Sequence, residues 1–141
     1  MLFVGDIAIP NNIEFKLGEE VTSIDEVSVG NLEGLIVPED SKYSLDYKVY
    51  NSDNTVRYLK SMNIKAVTLA NNHVCDVPEA FEYTKKILKE NDIQFFGAGM
   101  TDEEAKQPTI ICEGGGGGIH PRWIRLECNR LQANKARFSW S

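Results

Sequence analysis

Three short polar passages interrupt the apolar pattern of this 141-residue chain, and each carries groups able to do chemistry. Asp6 follows Leu2-Phe3-Val4-Gly5, and Glu33 closes Val27-Ser28-Val29-Gly30-Asn31-Leu32. The third passage, Asn71-Asn72-His73-Val74-Cys75-Asp76, follows the apolar run from Lys65 to Ala70. Open α/β sheets place their chemistry just outside the carboxyl ends of strands, so three such endings are candidates for one site. Carboxylate oxygens, an amide oxygen and an imidazole together suit a hard or borderline divalent cation: Mn, Mg, Fe or Zn. Two such ions would clamp a phosphoryl group and activate a water. Spacing alone leaves plainer readings open. Asparagines are common in turns because they accept left-handed backbone and bond their own chain. Glu33 can equally be a solvated loop charge, and His73 a hydrogen-bonded structural group.

The elements that must position these residues follow from periodicity. Leu2-Phe3-Val4 reads as a buried first strand, with Gly5 letting the backbone turn and Asp6 at its tip. Ser23 and Glu26 have the spacing of a capping box. Val27 to Gly34 is a second strand-to-loop passage, and Tyr47 to Tyr50 a brief edge strand. Asn51-Ser52-Asp53 offers N-caps for a helix over 54–62 with Val56, Leu59 and Met62 on one side, closed by Asn63. Residues 65–70 form the third strand. Pro78 fits a first helical turn, and Ala80, Phe81, Thr84, Ile87 and Leu88 then make a buried stripe. Ile93 to Phe96 is a fourth strand and Thr109 to Cys112 a fifth, with a helical turn from Asp102 to Gln107 between them. Gly97-Ala98-Gly99 reads as a tight turn; as a nucleotide loop it lacks the rest of the glycine fingerprint. Strands alternating with helices indicate an α/β fold of parallel βαβ units.

Composition sets the class. A 42% apolar and 26% charged chain is that of a soluble globular domain. No apolar run approaches the ~18–20 residues of a membrane span, and Met1 to Asp6 lacks the regions of a signal peptide. A cytoplasmic protein, or a soluble piece of something larger, is expected. Cys75, Cys112 and Cys128 form no C-x-x-C pair, so neither zinc knuckle nor disulfide framework is indicated, and Cys75 reads as a packing residue. Residues 1–113 hold 20 of the 21 acidic residues and 10 of the 15 basic ones. Such an acidic body argues against nucleic acid as a partner. From Gly114 the character breaks into five glycines and a basic, unpatterned run. Residues 114–141 therefore read as a Gly-rich junction without strands and a non-native or disordered tail. The alternative is a linker to a peptide-binding or nucleic-acid-binding tail.

In order, Gly5-Asp6, Asn31-Leu32-Glu33, Leu69-Ala70-Asn71-Asn72-His73-x-x-Asp76 and Gly97-Ala98-Gly99 resemble the motif set of the capsule-synthesis (poly-γ-glutamate biosynthesis, CapA-type) proteins. These belong to the calcineurin-like metallophosphoesterase superfamily, and the resemblance runs over residues 2–113. It implies a metallophosphoesterase-like αββα sandwich. It implies that Asp6, Glu33 and Asn72 hold a divalent metal, that His73 is catalytic as general acid or anion-orienting group, and that Asn31, Asn71 and Asp76 brace the site. The implied substrate is an anionic polymer or a phosphorylated small molecule, with membrane-associated capsule-synthesis partners. Two positions depart from the pattern: Ala8 stands where a histidine ligand is usual, and Pro78 where glycine is. The family's later strands and its His-Trp-Gly motif have no counterpart. A truncated domain with an incomplete, inactive site and some self-association is the resulting expectation, and a non-catalytic binding or assembly subunit is the alternative.

Overall fold

The computed structural model describes the backbone of residues 1–115 and 118–124 and the side chains of residues 1–111. In chain order the strands are β1 (Leu2–Ile7), β2 (Ser28–Leu32), β3 (Leu35–Ile36), β4 (Tyr50–Asn51), β5 (Ile64–Thr68), β6 (Gln94–Phe96), β7 (Thr109–Gly115) and β8 (Gly118–Ile124). The helices are α1 (Glu19–Thr22), α2 (Thr55–Ser61), α3 (Phe81–Glu90, entered through a 3-10 turn at Pro78–Ala80) and α4 (Asp102–Ala105). Four strands form one parallel sheet in the order β1-β2-β5-β6. The expected α/β class and its parallel βαβ units are present, with α2 leading into β5 and α3 into β6. This arrangement is consistent with a metallophosphoesterase-like α/β fold.

Parallel sheets are stable only when both faces are covered. Here α2 and α3 cover one. Val56, Leu59, Phe81 and Leu88 are buried with Ile64, Val67 and Leu69 in one core. A smaller cluster on Val29, Ala66 and Phe96 is covered by Ile111 of β7. Polar groups within the helix-covered core have partners. Thr84 Oγ1 accepts from Ile36 N–H at 2.9 Å and lies 2.9 Å from the Ala80 carbonyl, joining α3 to the small parallel pair β3·β4.

Several expectations are corrected. β1 is not buried: among the described residues it is the sheet's end strand with one neighbour, and Leu2 and Phe3 are exposed. Nor does it turn at Gly5; a register slip between Phe3 and Asp6 carries it on to Ile7. No capping box forms at Ser23, which instead closes α1 with its N–H on the Glu19 carbonyl. The brief strand expected at Tyr47 to Tyr50 is reduced to Tyr50–Asn51, because Tyr47 takes left-handed backbone. α2 starts without a side-chain cap: Asn54 Oδ1 accepts from Ser52 Oγ at 2.7 Å while its Nδ2 donates to the Ile13 carbonyl at 3.0 Å. The expectation of no strand beyond Glu113 also fails. β7 runs to Gly115 and pairs antiparallel with β8, from Thr109 against Ile124 to Gly115 against Gly118. Ladder bonds there override the poor intrinsic preference of glycine for strands. The tail reading for 116–117 and 125–141 lies outside the described residues.

Tyr83 of α3 donates its hydroxyl to Asp53 Oδ1 at 2.6 Å, and Asp53 Oδ2 accepts from Glu39 N–H at 3.1 Å. Burial first, then the Asp53 carboxylate, pushes the Tyr83 phenol up to about 12 from its ordinary 10.0. The folded state thus holds this proton more tightly than the unfolded state. Its contribution is full below pH 10.0 and is lost as pH rises toward 12. Tyr83→Phe is expected to make thermal stability less steeply dependent on pH across that window. An equally steep alkaline decline in the variant would contradict this.

Among the described residues, no helix is long and apolar enough to cross a membrane.

Candidate functional site

Register brings the polar strand ends to one level. Asp6 of β1 pairs with Asn31 of β2, and Asn31 with Thr68 of β5. Glu33 follows β2 directly, and the Asn71-Asn72-His73 loop follows β5. That loop is anchored on both sides by buried apolar residues, Leu69 before it and Val74 and Val77 after it. Its polar groups are therefore held by packing as well as by hydrogen bonds.

Asn71 is the hub. It is 6% exposed, and its amide uses its full capacity of two donors and two acceptor lone pairs. Oδ1 accepts from the backbone N–H of Gly34 at 3.3 Å and of His73 at 3.1 Å. Nδ2 donates to the Leu32 carbonyl at 2.7 Å and to Asn31 Oδ1 at 3.1 Å. Two backbone donors can only meet a carbonyl oxygen, so they fix which way Asn71 faces. Asn71 in turn fixes Asn31, whose oxygen is taken and whose NH₂ must point away. That NH₂ donates to both Asp6 Oδ1 (2.7 Å) and Glu33 Oε2 (2.5 Å).

The histidine is oriented separately. Asp76 Oδ2 lies 2.8 Å from His73 Nδ1 and accepts from Val49 N–H at 3.0 Å. A carboxylate at Nδ1 selects the tautomer protonated there and leaves Nε2 to act. Nε2 faces Glu33 Oε1 at 3.8 Å. Glu33 thus divides its oxygens, one toward the Asn31 amide and one toward the imidazole. Cys75 next door is half-buried; burial first, and Asp76 second, push its thiol up, so it holds its proton at neutral pH. This agrees with its reading as a packing residue.

The structure brings six of the seven sequence-predicted residues into one bonded chain: Asp6, Asn31, Glu33, Asn71, His73 and Asp76. Asn72 is exposed and its side chain makes no hydrogen bond among the described residues. Ala8 is exposed, and its side chain has no ligating atom. Donor chemistry fits a hard or borderline cation in kind: two carboxylates, an imidazole nitrogen and an amide. In number it is sparse, since no three of His, Cys, Asp and Glu stand close enough to form a finished cage among the described residues.

One positioning residue went unread in the sequence. Asn51 is fully buried; its Oδ1 accepts from Ile9 N–H at 2.9 Å, and its Nδ2 donates to the Glu33 carbonyl at 2.9 Å. It ties the segment after β1 to the backbone of Glu33. In the sequence it stands in Asn51-Ser52-Asp53, which looks like a cap cluster and nothing else.

A parallel α/β domain with a hydrogen-bonded polar cluster at the carboxyl ends of its strands defines the class. Within that class, a family model described as bacterial capsule synthesis protein PGA_cap matches residues 2–120, and the chain belongs to that family. No curated protein matches it.

Proposed function

We propose that this capsule-synthesis protein carries a metal-dependent phosphoesterase-like site at the ends of β1, β2 and β5. The reaction is hydrolysis or transfer at a phosphoryl or acyl-phosphate centre during synthesis of an anionic surface polymer of the poly-γ-glutamate type. The supporting observation is the convergence of Asp6 and Glu33 on one amide, with His73 Nε2 facing the same Glu33 carboxylate. Asp6, Glu33 and the Asn72 amide would hold the divalent ion, Mn, Mg, Fe or Zn. Such an ion supplies charge neutralisation at the phosphoryl oxygens and a more acidic bound water.

The chain's own groups do the rest. Asp76 keeps the proton on His73 Nδ1 and holds the ring still. His73 then donates a proton from Nε2 to the oxygen of the leaving group, which leaves the neutral ring with its remaining proton on Nδ1 against Asp76. Asn71 sets the facing of Asn31, whose Nδ2 bridges the two carboxylates. The partners on this reading are the anionic polymer or a phosphorylated precursor, and membrane-associated components of capsule synthesis. A second reading, a non-catalytic assembly subunit on the same scaffold that self-associates, is favoured by Ala8.

Mn²⁺ binding by calorimetry and hydrolysis of an aryl phosphate and an acyl phosphate separate the two. On the first reading Asn72→Ala weakens Mn²⁺ binding. His73→Ala keeps binding but loses about 10²–10⁴-fold in hydrolysis, the usual worth of a positioned acid or base. Mn²⁺ binding with no hydrolysis of either phosphate would favour the assembly subunit. Hydrolysis untouched by His73→Ala would remove the assigned role of His73.

A further inference from the structure

We infer that Asn31 is a built-in competitor of the cation, an amide that occupies the place between Asp6 and Glu33 when no ion is there. This rests on the metal-dependent reading above and adds a control on that same site. The geometry is specific. One nitrogen, Asn31 Nδ2, donates to Asp6 Oδ1 at 2.7 Å and to Glu33 Oε2 at 2.5 Å. Hydrogen bonds to carboxylates are among the stronger ones, so the amide is a real counterweight to two converging negative charges.

An asparagine beside a cation site would ordinarily turn its oxygen inward and become a ligand. Asn31 is prevented from doing so. Its Oδ1 accepts from Asn71 Nδ2 at 3.1 Å. Asn71 cannot reverse, because its own oxygen serves the Gly34 and His73 backbone N–H groups. Turning Asn31 over would set NH₂ against NH₂ and oxygen against carboxylate. The amide therefore presents partial positive charge to the space a cation would enter, and an ion that uses these two oxygens has to displace it.

Two consequences follow. The cation-free site is held together rather than splayed by carboxylate repulsion. Cation affinity is also lower than the two carboxylates alone would give, so the ion exchanges readily. Removing the amide weakens the cation-free state more than the bound state, and apparent affinity rises.

The test uses the full chain. Mn²⁺ affinity is measured by calorimetry on the wild type and on Asn31→Ala, with about tenfold tighter binding expected in the variant, the equivalent of ~1.4 kcal/mol. In the wild type, the Asn31 side-chain NH₂ resonances are followed by NMR during titration with diamagnetic Zn²⁺. They are expected to move from hydrogen-bonded toward free-amide positions; this arm needs no variant to fold. Equal or weaker Mn²⁺ binding in Asn31→Ala, or unmoved Asn31 resonances while Zn²⁺ binds, would overturn the competitor role and leave the metal reading standing. Failure of the wild type to bind either ion would remove the metal reading and the competitor role with it.

Discussion

Asn71→Ala is expected to lower unfolding stability by about 3–5 kcal/mol, from the ~1–3 kcal/mol attached to each buried polar group left without a partner. The substitution orphans four groups at once: the N–H of Gly34, the N–H of His73, the carbonyl of Leu32 and the oxygen of Asn31. Asn71 is 6% exposed, so bulk water does not simply replace the amide. A trapped water could satisfy part of the set, which keeps the expected loss below the sum of four full penalties. Against a typical total of about 5–15 kcal/mol, the variant stands near the edge of folding. Urea unfolding would show a large fall in midpoint with an unchanged slope. Asn71→Asp separates the two halves of the role. It keeps an oxygen for the two backbone donors but sets a second oxygen against the Leu32 carbonyl and Asn31 Oδ1. It should therefore also be destabilised, and its Asn31 amide should turn. A loss under about 1 kcal/mol in Asn71→Ala would mean that the hub is dispensable.

That hub marks where sequence reading stopped. The strand ends were legible because apolar runs of strand length finished in Asp6, Glu33 and Asn71-Asn72-His73, and parallel topology puts such ends at one level. The stripe Ala80, Phe81, Thr84, Ile87 and Leu88 was legible because helical period and burial coincide, and all but the half-buried Ile87 are buried. The amide relay was not legible. Nothing in the letters says that Asn71 meets Asn31 rather than solvent, since that contact spans 40 positions and depends on register. Asn51 was hidden for a related reason: a buried amide serving Ile9 and Glu33 has the same local signature as an N-cap. The exposure of β1 was missed because an apolar triplet looks alike at the edge and the centre of a sheet. The strands after Glu113 were missed because glycine's entropy argues against them, while the gain from pairing with the adjoining β8 does not show in residue preference.

Gly34→Ala is expected to be comparable to the loss of the hub, about 2–5 kcal/mol, combining left-handed strain of roughly 1–2 kcal/mol with overpacking of roughly 1–3 kcal/mol. Gly34 follows Glu33 directly and has φ +77, a conformation that side-chain-bearing residues rarely adopt. A Cβ there would stand 2.3 Å from the Val49 carbonyl oxygen and 2.8 Å from its carbon, both backbone. Neither can move aside without disturbing β4 or the Val49 N–H that holds Asp76. Gly30 is the internal control. A Cβ at Gly30 meets Ile7 Cδ1 at 2.6 Å and Val4 Cγ2 at 3.1 Å, the outer atoms of side chains. Its φ lies outside the left-handed region, so rotamer shifts can absorb most of the clash. Gly30→Ala should therefore lose about 1–2 kcal/mol. The contrast carries into the site, because displacing residue 34 drags Glu33 away from both Asn31 and His73. Paired thermal melts and Mn²⁺ titrations should show Gly34→Ala losing stability and binding together, with Gly30→Ala losing only a little stability. Equal losses in the two variants would mean that the backbone at Gly34 yields more freely than its contacts with Val49 indicate.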